Sequence, residues 1–427
     1  IRQYTREKLL EAGDSEAVRD RHLAYFVKLA EQAEPELYRA KQVFWLNKLE
    51  DELDKLRIAL EWALTSDIES GLRIVVLARQ FWFSHGYAQE LGDWVWQLLE
   101  RHETKNSLHA QAMAVYSTAT TDFSHARMIA EQSLQLARAL ADKEVEAYSL
   151  LHLGGLIAVQ GDLKEGIPLV EQSRDLYRAL GNKLGEASAM SWLVLNHNDL
   201  AQTKAIMLDA LRLFRELGTL SGIANCLSLL AHRVIWTGDF SSPVPWLDEA
   251  MAIYRQLGDE AGQADTLDIQ GSLAYWLGNY QQARKCYEEA VVLFEKAGSY
   301  WMISWSHVNL AYVALRQGDL PKAKELFKVC IQRFQKTDTI IGTIYAVEGI
   351  ASIDVNLTHS DRAAQLFAWA DVAREMIGDH RPPLEQQSVE RDLAVIHSQL
   401  SDVEFERLSA QGRSLTLEQA IALAMES

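Results

Sequence analysis

The stretch Gly278-Asn279-Tyr280-Gln281-Gln282-Ala283-Arg284-Lys285-Cys286-Tyr287-Glu288-Glu289-Ala290 returns forty residues later as Gly318-Asp319-Leu320-Pro321-Lys322-Ala323-Lys324-Glu325-Leu326-Phe327-Lys328-Val329-Cys330. Each copy opens on glycine and Asn or Asp. Alanine follows at five residues (Ala283, Ala323), an aromatic at nine (Tyr287, Phe327) and a small residue at twelve (Ala290, Cys330). The spacing extends outward. Ala126 and Ala363 fill the first slot, Phe367 the second, and Ala210, Ala250 and Ala370 the third. Seven residues before the turn, the slot is again small: Gly154, Ala231, Gly271, Ala311 and Ala351. These turns, at Gly161, Asn198, Gly238, Gly278 and Gly318, alternate with a second series of stops at Gly181, Gly218, Gly258, Gly298 and Gly378, with Asp338 in the one gap. The second series steps by 37 residues once and by 40 thereafter. Glycine accepts the left-handed backbone that ends a helix, so two stops per period make each unit a helix hairpin. Self-similarity at this period denotes an array in which each hairpin buries its apolar face against the next.

Small, aromatic and small residues around a Gly-Asp turn resemble the tetratricopeptide repeat. The resemblance implies an all-α, right-handed superhelical solenoid of about eight hairpins. Its period of about 40 residues exceeds the usual 34, so each helix is expected to be longer by roughly one turn. One hairpin is short: Gly181 to Asn198 spans 17 residues where its neighbours span 20. The shortening near Trp192, Asn196 and His197 is a hinge, a ligand entrance or a tolerated deletion.

Composition narrows the function. Against 42 Lys and Arg stand 59 Asp and Glu, a formal charge of −17. That balance argues against direct nucleic-acid binding, which needs clustered cations. Cys226, Cys286 and Cys330 lie far apart in helical patterns, suggesting neither a disulfide framework nor a metal site and fitting a reducing, cytoplasmic setting. The most apolar stretch, Gly71 to Phe83, contains Arg73 and Arg79 and is too short to cross a bilayer, so no membrane partner is expected. His-x-x-x-His, Gly-x-Ser-x-Gly and Cys-x-x-Cys patterns are absent, as is a phosphate-binding Gly-x-x-x-x-Gly-Lys-Ser/Thr loop; Gly181 to Gly185 comes nearest and lacks the lysine and hydroxyl. The expectation is a protein without enzymatic activity and without a cofactor of its own.

Residues 105–380 read as the repeat array. Residues 15–104 read as an N-terminal helical linker with a capping hairpin, including one helix from Gln42 to Trp62 and a pair, Ile68 to Ser84 and Tyr87 to Arg101, turning at Gly86. Residues 381–427 read as a C-terminal helical cap ending in two short acidic helices. Residues 1–14 begin inside a helical pattern and read as the remnant of a preceding, winged-helix-like region, so a fragment of a longer protein is expected.

The linker carries a second resemblance. Arg21-His22, Tyr25-Phe26, Ala33-Glu34-Pro35, Trp45-Leu46, Leu49-Glu50, Leu53 to Arg57 and Ala59-Leu60-Glu61-Trp62 resemble the segment after the winged helix in bacterial signal-transduction ATPases with numerous domains, the STAND class. Leu53 and Lys55 depart from the His and Asn often found there. Leu366-Phe367, Arg374-Glu375, Ile377-Gly378, Pro382-Pro383, Gly412-Arg413 and Leu415-Thr416-Leu417-Glu418-Gln419-Ala420 are similar to the tail of the same proteins. What the resemblance implies is the C-terminal sensor of a regulator of the LuxR or antibiotic-regulator type. A protein, peptide or small-molecule inducer binds it, and it controls an upstream ATPase domain of the same chain, where ATP belongs. A constitutive protein-binding scaffold, or the sensor of a cyclase or kinase, are the other readings.

In tetratricopeptide arrays the first helix of each hairpin lines the concave face. The slots expected to point inward hold Tyr148, Asn225, Asp265, Trp305 and Tyr345 at thirteen residues before the turn. At ten they hold Ser228, Asp268 and Glu348, at six His232, Ser272 and Tyr312, and at two Trp236, Trp276 and Arg316. Rigid aromatics interleaved with polar groups suit a recognition surface. For Trp236 and Trp276 the alternative is packing on the next hairpin. For Asp265 and Asp268 the choice is between a solvated face and a carboxylate pair, and His197 is a polar binding group or a solvated turn residue.

Overall fold

The computed structural model describes residues 15–120, 122–195 and 200–426, and within these every regular element is a helix. Six helices precede the array: α1 (Ser15–Ala33), α2 (Gln42–Asp51), α3 (Leu53–Ser66), α4 (Ile68–Leu77), α5 (Arg79–Ser84) and α6 (Ala88–Leu99). Seven hairpins follow: α7 (Ser107–Ala119) with α8 (Phe123–Ala139), α9 (Lys143–Gln160) with α10 (Leu163–Leu180), α11 (Lys183–Trp192) with α12 (Leu200–Leu217), α13 (Leu220–Trp236) with α14 (Pro243–Leu257), α15 (Glu260–Trp276) with α16 (Tyr280–Lys296), α17 (Tyr300–Arg316) with α18 (Leu320–Lys336), and α19 (Ile340–Asn356) with α20 (Ser360–Ile377). The chain closes with α21 (Pro383–Gln399), α22 (Asp402–Arg413) and α23 (Leu417–Met425).

The Gly-Asp turn has two tasks. Gly278 and Gly318 adopt φ of 79° and 80° to end one helix. The next residue caps the following helix, as Asn279 Oδ1 accepts from the Gln282 N–H at 3.3 Å and Asp319 Oδ1 from Lys322 at 3.2 Å. Asp338 and Thr358 take positive φ without glycine, at 48° and 61°. The C-terminal pair α22 and α23 both start on capping boxes, Ser401 with Glu404 and Thr416 with Gln419.

Two helices read as continuous are each broken. The Gln42–Trp62 segment divides at Glu52, and the first arm of the capping hairpin divides at Ala78. The first break has a packing cause: α2 reaches α14, far along the chain, whereas α3 packs on α1 and α4. Helix α11 is short, ending at Trp192 and passing into a 3-10 turn over Leu193–Leu195. Asn196, His197 and Asn198 lie outside the described residues, as does Thr121.

The repeating slots are a jigsaw. Ala283, Ala290, Ala323 and Ala363 are fully buried beside Tyr287, Phe327 and Phe367, and a Cβ at Gly271 would fall 2.7 Å from the Tyr287 ring. A second ladder pairs a glycine in the first turn of four first helices with the aromatic eight residues before it: Gly185 with Tyr177, Gly222 with Phe214, Gly262 with Tyr254, Gly342 with Phe334.

Successive first helices pack on one another while successive second helices scarcely touch, which places the first helices on the inner radius. The coil is tight enough for one turn to rest on the next. Gln42 Nε2 donates to Ser221 Oγ at 2.9 Å, Ser124 Oγ to Asp338 Oδ2 at 3.3 Å, and Lys164 Nζ to the Glu375 carbonyl at 2.7 Å. These partners are 179 to 214 residues apart in sequence, so roughly five hairpins complete a turn.

Candidate functional site

The inner wall carries groups of aromatic and ionisable side chains supplied by α5, α9, α13, α15, α17 and α19. At one end, Arg79 lies over the Tyr38 ring (5.7 Å to the centroid) and the Tyr148 ring (5.3 Å), and Tyr148 meets His152 at 4.2 Å. Burial, reinforced by the Arg79 charge, pushes His152 down to about 3, so its imidazole is neutral at ordinary pH. Its Nδ1 is buried without a hydrogen-bond partner.

Along α17 and α19 the aromatics form a chain. Trp305 packs against Trp301, Phe334 and Tyr345 at 5.9, 5.3 and 5.5 Å between ring centroids. Tyr312 stacks edge-on to Phe327 at 5.0 Å and donates to the Tyr345 carbonyl at 2.9 Å. Arg316 is exposed; its Nε donates to Tyr275 Oη at 3.0 Å and its Nη2 to Ser388 Oγ at 3.0 Å.

Asp265 and Asp268 do not sit on a solvated face. Asp268 accepts from Ser306 Oγ at 2.6 Å and from Asn309 Nδ2 at 3.0 Å, although burial outweighs those bonds and pushes it up to about 6. Asp265 is pushed up to about 7, by burial and then by the Asp268 charge. It lines a cavity of about 240 Å³ with Gln80, Phe83 and Ser84 of the neighbouring superhelical turn.

A charge cluster closes the other end. Arg374 clamps Glu348 through Nε at 2.9 Å and Nη2 at 2.8 Å, bonds Asp379, and sits 4.5 Å from the centre of the Tyr345 ring. Arg381 Nε adds a further bond to Glu348 at 2.9 Å. Burial opposes the Glu348 charge, but the two guanidinium groups outweigh it and hold the carboxyl below its usual range. Beside this cluster, Lys164, Ile167 and Pro168 of one turn face Asp371, His380 and Gln386 of the next across a cavity of about 550 Å³.

The remaining positions read as inward divide by depth. Asn225 is exposed on α13, whereas Ser228 is buried against Thr266 at 3.3 Å and Ser272 against the Tyr287 hydroxyl at 3.1 Å. The His232 ring lies tilted against Trp236, 4.4 Å between centroids. Trp236 is largely buried under the Arg233 guanidinium, 4.3 Å away, and Trp276 is half-buried against Ile235, Leu247 and Leu273.

Sequence reasoning missed Arg79, His152, Arg233, Arg374 and Glu385. For Arg233 the signal was available: five residues before the turn the other hairpins carry Leu156, Leu273, Val313 and Ile353, so an arginine in that slot breaks the apolar pattern. Among the described residues no group of three or more His, Cys, Asp or Glu is placed to hold a metal, and no helix is long and apolar enough to cross a membrane.

Comparison with known proteins agrees with the architecture. A model of the tetratricopeptide repeat matches residues 262–336. No curated protein matches the chain. Among solved structures, a Rap protein complexed with competence and sporulation factor superposes with a TM-score of 0.61 at 13% identity, covering 85% of this chain and 99% of that one. A STAND protein with a tetratricopeptide-repeat sensor from Pyrococcus horikoshii gives 0.47 at 15% identity over 86% of this chain and 55% of its own. NprR in complex with its cognate peptide NprX gives 0.48 at 17% identity over 82% of this chain and 99% of its own. The chain is a tetratricopeptide-like solenoid of α-helical hairpins.

Proposed function

We propose that this chain is a non-catalytic sensor that binds a partner on its inner wall and controls an attached STAND-type ATPase. The observation that carries the reading is the wall itself. Trp305, Tyr312 and Tyr345 provide rigid area beside Asp265 and Arg316, where a mere packing surface would be filled by leucine and alanine. The fold of the Rap protein bound to competence and sporulation factor supports a peptide or protein as the partner. The linker and tail residues that resemble the STAND class support the ATPase.

Because successive turns touch, a ligand that fits one pitch better than another shifts the population of superhelix shapes, and that bias passes to the attached domain. Carrying a switch from mostly off to mostly on takes about 5.5 kcal/mol of differential binding. Thermal unfolding against peptides, sugars, nucleotides and metabolites tests the sensor. A ligand at 100 times its dissociation constant adds about 2.7 kcal/mol, and the shift is expected to vanish in Trp305→Ala. A saturable shift that survives both Trp276→Ala and Trp305→Ala would refute the inner wall as the binding face.

A further inference from the structure

Asp265 breaks the pattern of its slot. Thirteen residues before the turn the other hairpins carry Tyr148, Asn225, Trp305 and Tyr345, so repeat packing does not demand a carboxylate there. Two neighbouring carboxylates are already committed. Asp259 Oδ1 caps α15 by accepting from the Gly262 N–H at 2.8 Å, and Asp268 is held by Ser306 and Asn309. Asp265 has no such support: burial and the charges of Asp268 and Asp259 all act against its ionised form, and no hydrogen bond or cation offsets them. A carboxylate withdrawn from water without a partner carries a cost that a bound cation removes.

The crevice beside it is shaped for such a cation. Its walls come from two superhelical turns, with Phe83 supplied by α5 and the Tyr254 and Phe294 rings by α14 and α16, and among the described residues no lysine, arginine or histidine lines it. Two hydroxyls complete the lining. Ser299 precedes α17 yet makes no capping bond to it. Ser84 Oγ accepts from Gln80 Nε2 at 2.9 Å and keeps a second lone pair. The turns are also held close: the backbone of Gly86, at φ 76°, approaches α16 so nearly that a Cβ would fall 3.1 Å from Ala297 Cα.

We propose that this crevice is a subsite for a small aliphatic primary amine, whose ammonium group bonds Asp265, Ser84 and Ser299 and whose stem lies between the Phe83, Tyr254 and Phe294 rings. An ammonium has three donors for these three acceptors, and aromatic faces add their own attraction for a cation. A hard metal ion does not fit, since it takes about six oxygens and half of this lining is apolar. Because the lining joins two turns, a bound amine ties them together and favours the pitch at which they meet. Asp265 is shared with the inner wall, yet the crevice needs no partner at Trp305, so the two readings fail separately.

Hydrogen exchange on the full chain at pH 8 tests this with three probes of equal length at millimolar concentration: hexylamine, hexanol and hexanoate. Hexylamine is expected to slow exchange in α5 and in the first half of α15 at least fivefold and saturably, while hexanol and hexanoate leave both unchanged. Asp265→Asn keeps the shape of the side chain and removes its charge; with folding checked by circular dichroism, it is expected to abolish the protection. The comparison of amine with alcohol on the unmodified chain stands without it. Equal protection by hexanol, or an undiminished effect in Asp265→Asn, would overturn the subsite. Protection that is lost in Trp305→Ala would place the amine on the open wall and overturn the crevice. No protection by hexylamine refutes the subsite too, and leaves the inner wall to stand or fall with the ligand whose binding depends on Trp305.

Discussion

Replacing Gly271 by alanine sets two effects of opposite sign against each other. In the interior of α15, the change alone favours the helix by up to about 1 kcal/mol, because glycine loses more backbone freedom on folding. Here the new methyl meets the Tyr287 ring at 2.7, 2.9 and 3.0 Å. That ring is 2% exposed and its hydroxyl is within bonding distance of Ser272 Oγ, so it has little room to retreat. Overpacking of this kind costs about 1–3 kcal/mol. The clash wins, and Gly271→Ala is expected to be destabilised by about 1–2 kcal/mol. Urea unfolding followed at 222 nm gives the global value, and hydrogen exchange within α15 and α16 gives the local one, which matters in an array whose hairpins open separately. In a Tyr287→Leu background the same change is expected to stabilise, a reversal that a double-mutant cycle reads directly. A gain of about 1 kcal/mol for Gly271→Ala in the native background would refute the interlocking of small and aromatic slots.

Three further outcomes are expected. The Asp265 carboxyl, pushed up to about 7 by burial, holds a proton in the folded state that the unfolded chain releases near its ordinary pKa of about 4. Its contribution is therefore present at low pH and lost as pH rises toward 7, so Asp265→Asn is expected to match the wild-type Tm at pH 4 and exceed it at pH 8. A wild-type advantage at pH 8 would contradict this. Phe327→Ala, which empties a fully buried site beneath Gly349, is expected to cost about 3–5 kcal/mol by urea unfolding. The coil pitch predicts that a short bifunctional thiol reagent joins Ser124→Cys to Asp338→Cys within one chain, since those side chains meet at 3.3 Å; crosslinks found only between chains would contradict it.

The hairpin array was legible because small, aromatic and glycine slots are local and repeat in register. The Gly-Asp turn, the buried alanines and the Tyr287, Phe327 and Phe367 ladder could all be counted from the sequence. The aromatic eight residues ahead of Gly185, Gly222, Gly262 and Gly342 was equally local and went unread. The breaks at Glu52 and Ala78 were not legible, because the residues around Glu52 keep one helical stripe while α2 answers to α14, far along the chain. Superhelical pitch was hidden for the same reason: the contacts that set it join residues 179 to 214 apart. It explains the misreading of Asp265 and Asp268, which look solvated on one helix but are enclosed by a neighbouring turn and by the next hairpin. Glu348 and Arg316 shared inward slots on paper; only the fold showed that one is clamped by Arg374 and the other ties down α21.

The central claim, that recognition occurs on the inner wall, is tested most directly by titrating the tightest ligand from the thermal screen into Trp305→Ala and into Val292→Ala. The first lies on the inner wall and the second on the exposed face of α16. The account predicts at least a tenfold loss of affinity in Trp305→Ala and none in Val292→Ala; full affinity in Trp305→Ala, or a loss confined to Val292→Ala, would contradict it.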